Sequence, residues 1–144
     1  MWYLEYIVAP IVGGILAASG FIVAKKPDAK ELIDKLAPYQ GTIGVVLLAL
    51  GVWNSIDFLP HAADFIKILP FFGIAAVITI VAELLLGFLL GFGLVAKYIG
   101  RGSQAAAEKG AQLQKKLVGI QVPVGFLGIA AGVLMLVCKL KYGL

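Results

Sequence analysis

Most of the equipment of a catalytic protein is missing from this 144-residue sequence. It has one cysteine, Cys138, which excludes an intrachain disulfide and reads as a small apolar residue. Its one histidine, His61, has no serine or cysteine at a spacing that would build a nucleophilic set. There is no P-loop, no GxGxxG after a strand, no CxxC and no HExxH. Asp57, His61 and Asp64 are spaced four and three apart, as helical metal ligands would be. Pro60 interrupts them and no fourth ligand follows, so they read as capping and solvated charge rather than a metal site. Charge is scarce too, at 14% of residues. The net charge of +4 comes without the aromatic or glycine-rich elements of a nucleic-acid surface. The sequence therefore predicts no enzyme, no cofactor, no metal and no nucleic-acid partner.

What is present is apolar length. The sequence is 61% hydrophobic, with a mean hydropathy of +1.00, too apolar for a soluble domain of this size. Four apolar runs stand out: 3–24, 41–56, 73–96 and 117–138. About 20 helical residues cross a hydrocarbon core roughly 30 Å thick. The second run is marginal unless widened to 39–59. The start, Met1-Trp2-Tyr3-Leu4-Glu5, lacks the basic segment of a signal peptide, so the first run is read as a span. The expectation is an all-α integral membrane fold, one domain over 1–144, with four transmembrane helices.

Basic residues set the expected orientation. The first and third connections hold nine of the twelve Lys and Arg, among them Lys25, Lys26, Lys97, Arg101, Lys115 and Lys116. The other side holds Lys67, Lys139 and Lys141. Cytoplasmic connections carry the excess of Lys and Arg, so both termini are expected outside, here in a bacterial plasma membrane. The same basic face would attract anionic headgroups. Trp2, Tyr3 and Tyr6 read as an interfacial aromatic belt.

Between the spans, 25–36 predicts a short surface helix, and 54–70 an outer connection with a short amphipathic piece between Pro60 and Pro70. Ser103 is placed to cap a helix that begins at Gln104. Pro123 falls in the first turns expected of the fourth span, where a missing amide is tolerated.

One charge interrupts the third run: Glu83, near its middle. A carboxylate at bilayer centre costs about 2.5–3.5 kcal/mol on insertion scales. Helical spacing puts Ala76, Thr79, Glu83, Gly87 and Gly91 on one face, with Ile78, Val81, Leu85, Phe88 and Phe92 opposite. Small residues mark close helix contacts in lipid, so Glu83 is expected to face protein. No Lys, Arg or His lies at its depth. The facing positions expected from topology are Gly13, Leu48 and Gly128. Other polar groups, Ser19, Thr42, Thr79 and Gln121, sit at different depths and offer no wet pathway.

The other spans carry similar stripes: Gly13, Ala17 and Gly20 in the first, Gly44, Gly51 and Ser55 in the second, Gly125, Gly128 and Gly132 in the fourth. The chain also matches itself. Val23-Ala24-Lys25 recurs as Val95-Ala96-Lys97 at a shift of 72. At a shift of 81, Gln40, Gly44, Gly51 and Val52 meet Gln121, Gly125, Gly132 and Val133. This predicts two tandem helical hairpins, about 3–59 and 71–139, with a pseudo-two-fold axis along the membrane normal. Glu83 then falls opposite Ile11, so the carboxylate belongs to one half only.

Two functions fit. One is a non-catalytic membrane subunit for assembly or scaffolding, a homo-oligomer or a partner of other membrane subunits through its small-residue faces and Glu83. The other is a proton- or cation-coupled channel, transporter or motor-type element with Glu83 as the exchanging carboxylate. The dryness of the predicted spans favours the first.

Overall fold

The computed structural model describes residues 2–143, without the side chains of Trp2, Tyr3, Lys97 and Ile99. The aromatic belt expected at Trp2 and Tyr3 and the charge of Lys97 thus lie outside the described side chains. Every described element is helical: α1 (Trp2–Ala17), α2 (Ser19–Lys25), α3 (Lys30–Leu36), α4 (Gln40–Phe58), α5 (Ala62–Ile68), α6 (Pro70–Gly100) and α7 (Gln104–Tyr142). Short 3-10 turns at Pro27–Ala29, Ala37–Tyr39 and Leu59–His61 join them, each opened or centred by a proline.

Three stretches are long and apolar enough to cross a membrane, and a fourth if the bent pair α1 and α2 is one span. That bend corrects the expected first span. Between Ala17 and Ser19 the axis turns by 73°. Ala18 is fully buried against Gly125, while Gly20 just beyond it is exposed. A Gly/Ser pair is a common site for a sharp kink, and Ser19-Gly20 supplies one here.

α6 is the axis of the bundle. α4 packs along one side of it and α7 along another, and α1 lies mainly on α7 with a smaller contact to α6. α1 and α4 barely touch. Glycines set these distances. A Cβ on Gly44 would collide with the backbone of Leu90 and Gly91, and one on Gly87 with the backbone of Leu48. On the other seam, a Cβ on Gly14 would strike the carbonyl oxygen of Gly125. Backbones this close exchange many van der Waals contacts, each about 0.1–0.2 kcal/mol, which bulkier side chains would forfeit.

Two further corrections follow. The connection expected over 54–70 starts later, because Asn54 lies within α4 and is buried. Pro123 is not in a first turn: α7 runs unbroken for 39 residues, so Pro123 sits inside it. The cap at Ser103 is in place, its Oγ accepting from the Ala106 amide at 3.2 Å.

Candidate functional site

Glu83 is 0% exposed, midway along α6. The face it shares is buried throughout, with Ala76, Thr79, Gly87 and Gly91, whereas Val81, Leu85 and Phe88 point outward. Thr79 satisfies itself, donating to the Ala75 carbonyl at 2.9 Å.

The partner of Glu83 is Asn54. Its Nδ2 donates to Glu83 Oε2 at 2.9 Å and to Glu5 Oε1 at 3.2 Å. One amide thus bridges two carboxylates from α1 and α6. The second oxygen of Glu83, Oε1, is buried and has no hydrogen-bond partner among the described residues. Asn54, Thr79 and Glu83 are the only buried polar or charged side chains among those described, so no described cation neutralises the pair. A buried anion that is unpaired is strongly disfavoured, and two carboxylates on one donor repel each other. The arrangement is therefore suited to holding a proton or a small cation.

Neither Asn54 nor Glu5 is among the facing positions expected from sequence, Gly13, Leu48 and Gly128. The missed signal was the phase of α4, whose buried face runs Gly44, Leu47, Gly51, Asn54 and Phe58. The expected stripe ended on Ser55 instead, which is half-buried and donates to the Gly51 carbonyl at 2.6 Å. Following the three-and-four alternation one step differently leads to Asn54.

Above this pair lies a cavity of about 380 Å³ at the α5 end of the bundle. Tyr6, Asp57, Phe58, His61, Phe65 and Phe72 line it. The Phe58 and Phe65 rings stack with centroids 5.2 Å apart, and Phe72 meets both edge-on, at 6.3 Å and 6.0 Å. Tyr6 is close enough to Glu83, Glu5 and Asp57 to feel all three carboxylates. A second hollow, about 490 Å³ and almost wholly apolar, separates α1 from α4, with Glu5 on its wall beside Val8, Val12, Val46 and Leu50. A third, about 320 Å³, carries Gln40, Gln114 and Gln121 toward the opposite end.

The small residues singled out from sequence divide unevenly. Gly13, Ala17, Gly44, Gly51, Gly87, Gly91, Gly125, Gly128 and Gly132 are buried inside the chain. Gly20 is not: nothing lies within 4 Å of where its Cβ would be, because the bend at Ala18 carries it out of the bundle. Of the basic residues, Lys25, Lys26, Arg101, Lys115 and Lys116 are exposed. Two rest on rings, Lys25 over Phe21 at 5.9 Å and Arg101 over Tyr98 at 5.0 Å. Asp57, His61 and Asp64 do not converge, and Asp64 instead pairs with Lys67 at 3.6 Å. Among the described residues no three His, Cys, Asp or Glu side chains are arranged to hold a metal ion. Cys138 is buried, with Sγ 3.9 Å from the Phe71 carbonyl oxygen.

The chain matches no family model, and no curated protein or solved structure is similar to it.

Proposed function

We propose that this chain is a proton- or cation-coupled element of a membrane, with Glu83 as the exchanging carboxylate. The observation that carries the proposal is Glu83 itself: buried, bridged by Asn54 to a second carboxylate, and left with one oxygen unpartnered. An intramembrane acid without a protein cation is more useful as a binding group than as a structural pin. The apolar lengths of α4, α6 and α7 support insertion. The basic excess on the side of α2 and the α6–α7 turn supports that side as cytoplasmic. The dryness that favoured assembly has lost part of its basis, because Asn54, Glu5 and Tyr6 add polar groups around Glu83.

The two-hairpin repeat is part of the proposal. Positions paired at a shift of 81 meet comparable partners: Gly44 and Gly51 lie on α6, at Gly91 and Leu84, and Gly125 and Gly132 lie on α1, at Gly14 and Ile11. Gln40 and Gln121, another pair, line one hollow together.

Proteoliposomes with an internal pH dye and an imposed membrane potential test the coupling. Wild type is expected to move protons or monovalent cations, and Glu83→Gln, which preserves shape and the Asn54 bond, to move none. Equal flux in both proteins, or none in wild type, rejects it.

The second reading, a non-catalytic subunit in assembly or scaffolding, is favoured by one feature. The hollow between α1 and α4, where those two helices barely touch, is almost wholly apolar. Self-association or copurifying chains in mild detergent would support it, and a clean monomer would count against it. The small-residue faces themselves are already used within the chain.

A further inference from the structure

We infer that the cavity under α5 is a binding site for a lipophilic organic monocation. It rests on the Glu83 proposal only for the idea that such a cation is carried against a proton; the site itself stands on its walls.

Four aromatic rings, those of Tyr6, Phe58, Phe65 and Phe72, surround a space of about 380 Å³, within the range of small-molecule sites. Ring faces are negative and attract an organic cation, most strongly where water is excluded. Asp57 stands on the same wall and makes no ion pair or hydrogen bond with any described residue. The nearest lysine in sequence, Lys67, is engaged by Asp64. Tyr6 also lies close to Glu5 and Glu83, which are themselves off the wall. No lysine or arginine lines the cavity. An apolar neutral guest would fit the rings but leave Asp57 unused, and an anion would face Asp57 with no lysine or arginine on the wall to offset it. A charged body with apolar substituents matches both features.

The test uses the purified full chain in detergent and equilibrium dialysis of tetraphenylphosphonium, with tetraphenylborate as the probe of like shape and opposite charge. Binding of the phosphonium, at least tenfold tighter than that of the borate, is expected. Asp57→Asn and Phe65→Ala should each weaken it about tenfold, Asp57→Asn with the unfolding temperature unchanged because its side chain is exposed and makes no hydrogen bond with a described residue. Glu83→Gln, by contrast, abolishes flux whether or not the cavity binds. Equal affinity for the two probes, or binding indifferent to both variants, overturns the inference and leaves the Glu83 proposal standing. Phosphonium binding that depends on Asp57 and Phe65, in vesicles without Glu83-dependent flux, upholds the cavity and removes the coupling.

Discussion

The seams between α4 and α6 and between α1 and α7 are built the same way and differ at one level. Both bring backbones together at glycines, Gly44 against Gly91 in one and Gly14 against Gly125 in the other. In the proposed repeat, Asn54 pairs with Met135 at a shift of 81 and Glu83 with Ile11 at a shift of 72. Met135 is buried in an apolar cluster against which Ile11 packs. At these positions one pair is a thioether and a branched alkyl group, and the other an amide and a carboxylate. The apolar seam needs nothing further. The polar one carries a buried oxygen without a partner among the described residues, which packing alone does not require. The α1–α7 seam closes without a carboxylate, which supports the proposal that Glu83 serves binding rather than packing.

The largest expected effect comes from breaking the polar seam on one side. Asn54→Met removes the donor and leaves Glu83 buried, at a cost of about 3 kcal/mol. Adding Glu83→Ile copies the α1–α7 seam and should restore stability to within about 1 kcal/mol of wild type, since a buried polar pair is often replaceable by matched apolar groups. Equilibrium unfolding in mixed dodecyl maltoside and SDS micelles, followed by circular dichroism, reads both. The double variant should be folded and inactive in the flux assay. If it is less stable than Asn54→Met alone, Glu83 is structural after all and the contrast between the seams disappears.

A smaller effect tests whether the seams are alike where they look alike. Gly44→Ala forces a methyl into the Leu90–Gly91 backbone, and Gly14→Ala forces one into the Gly125 carbonyl. Neither backbone can swing aside as a side chain would, so each should cost about 2–3 kcal/mol. Gly91→Ala is the internal control. Its Cβ would meet the Gly44–Val45 backbone at 3.3 Å, tight but not overlapping, and a smaller loss is expected. Near-neutral behaviour of Gly44→Ala and Gly14→Ala in the same unfolding assay would mean that the helices do not approach as closely as described.

The helical class and the faces of α6 were legible because period and chemistry agree there: small and polar residues repeat every three or four positions, with Leu and Phe opposite. Glu83 announced itself by contrast with its neighbours. Asn54 did not, because it stands near the end of an apolar run, where polar residues normally mark a connection. Glu5 was hidden for the same reason at the start of α1. Their roles arise from packing that brings the C-terminal end of α4, antiparallel to α6, and the N-terminal end of α1, parallel to it, to the middle of a longer α6, and that offset in helix length is tertiary. The bend at Ala18 was likewise obscured, since hydropathy continues through Phe21, Ile22 and Val23 while the axis turns.

The smallest expected effect lies at that bend. By spacing, Gly20 continues the stripe of Gly13 and Ala17, yet a Cβ placed on it would meet nothing within 4 Å. Gly20→Ala therefore creates no clash, and in a helical position alanine is favoured over glycine by about 0.5–1 kcal/mol through the entropy of the unfolded chain. The expected result in the same micelle titration is a slight gain in stability, opposite in sign to Gly44→Ala. The outcome depends on the 73° turn. Were α1 and α2 one straight helix, Gly20 would lie on the face that carries Gly13 and Ala17, and an added methyl group would press against the neighbouring helix. A loss at Gly20 comparable to that at Gly14 would therefore show the first span to be straight, and a small gain would locate the edge of the α1–α7 seam at Ala18.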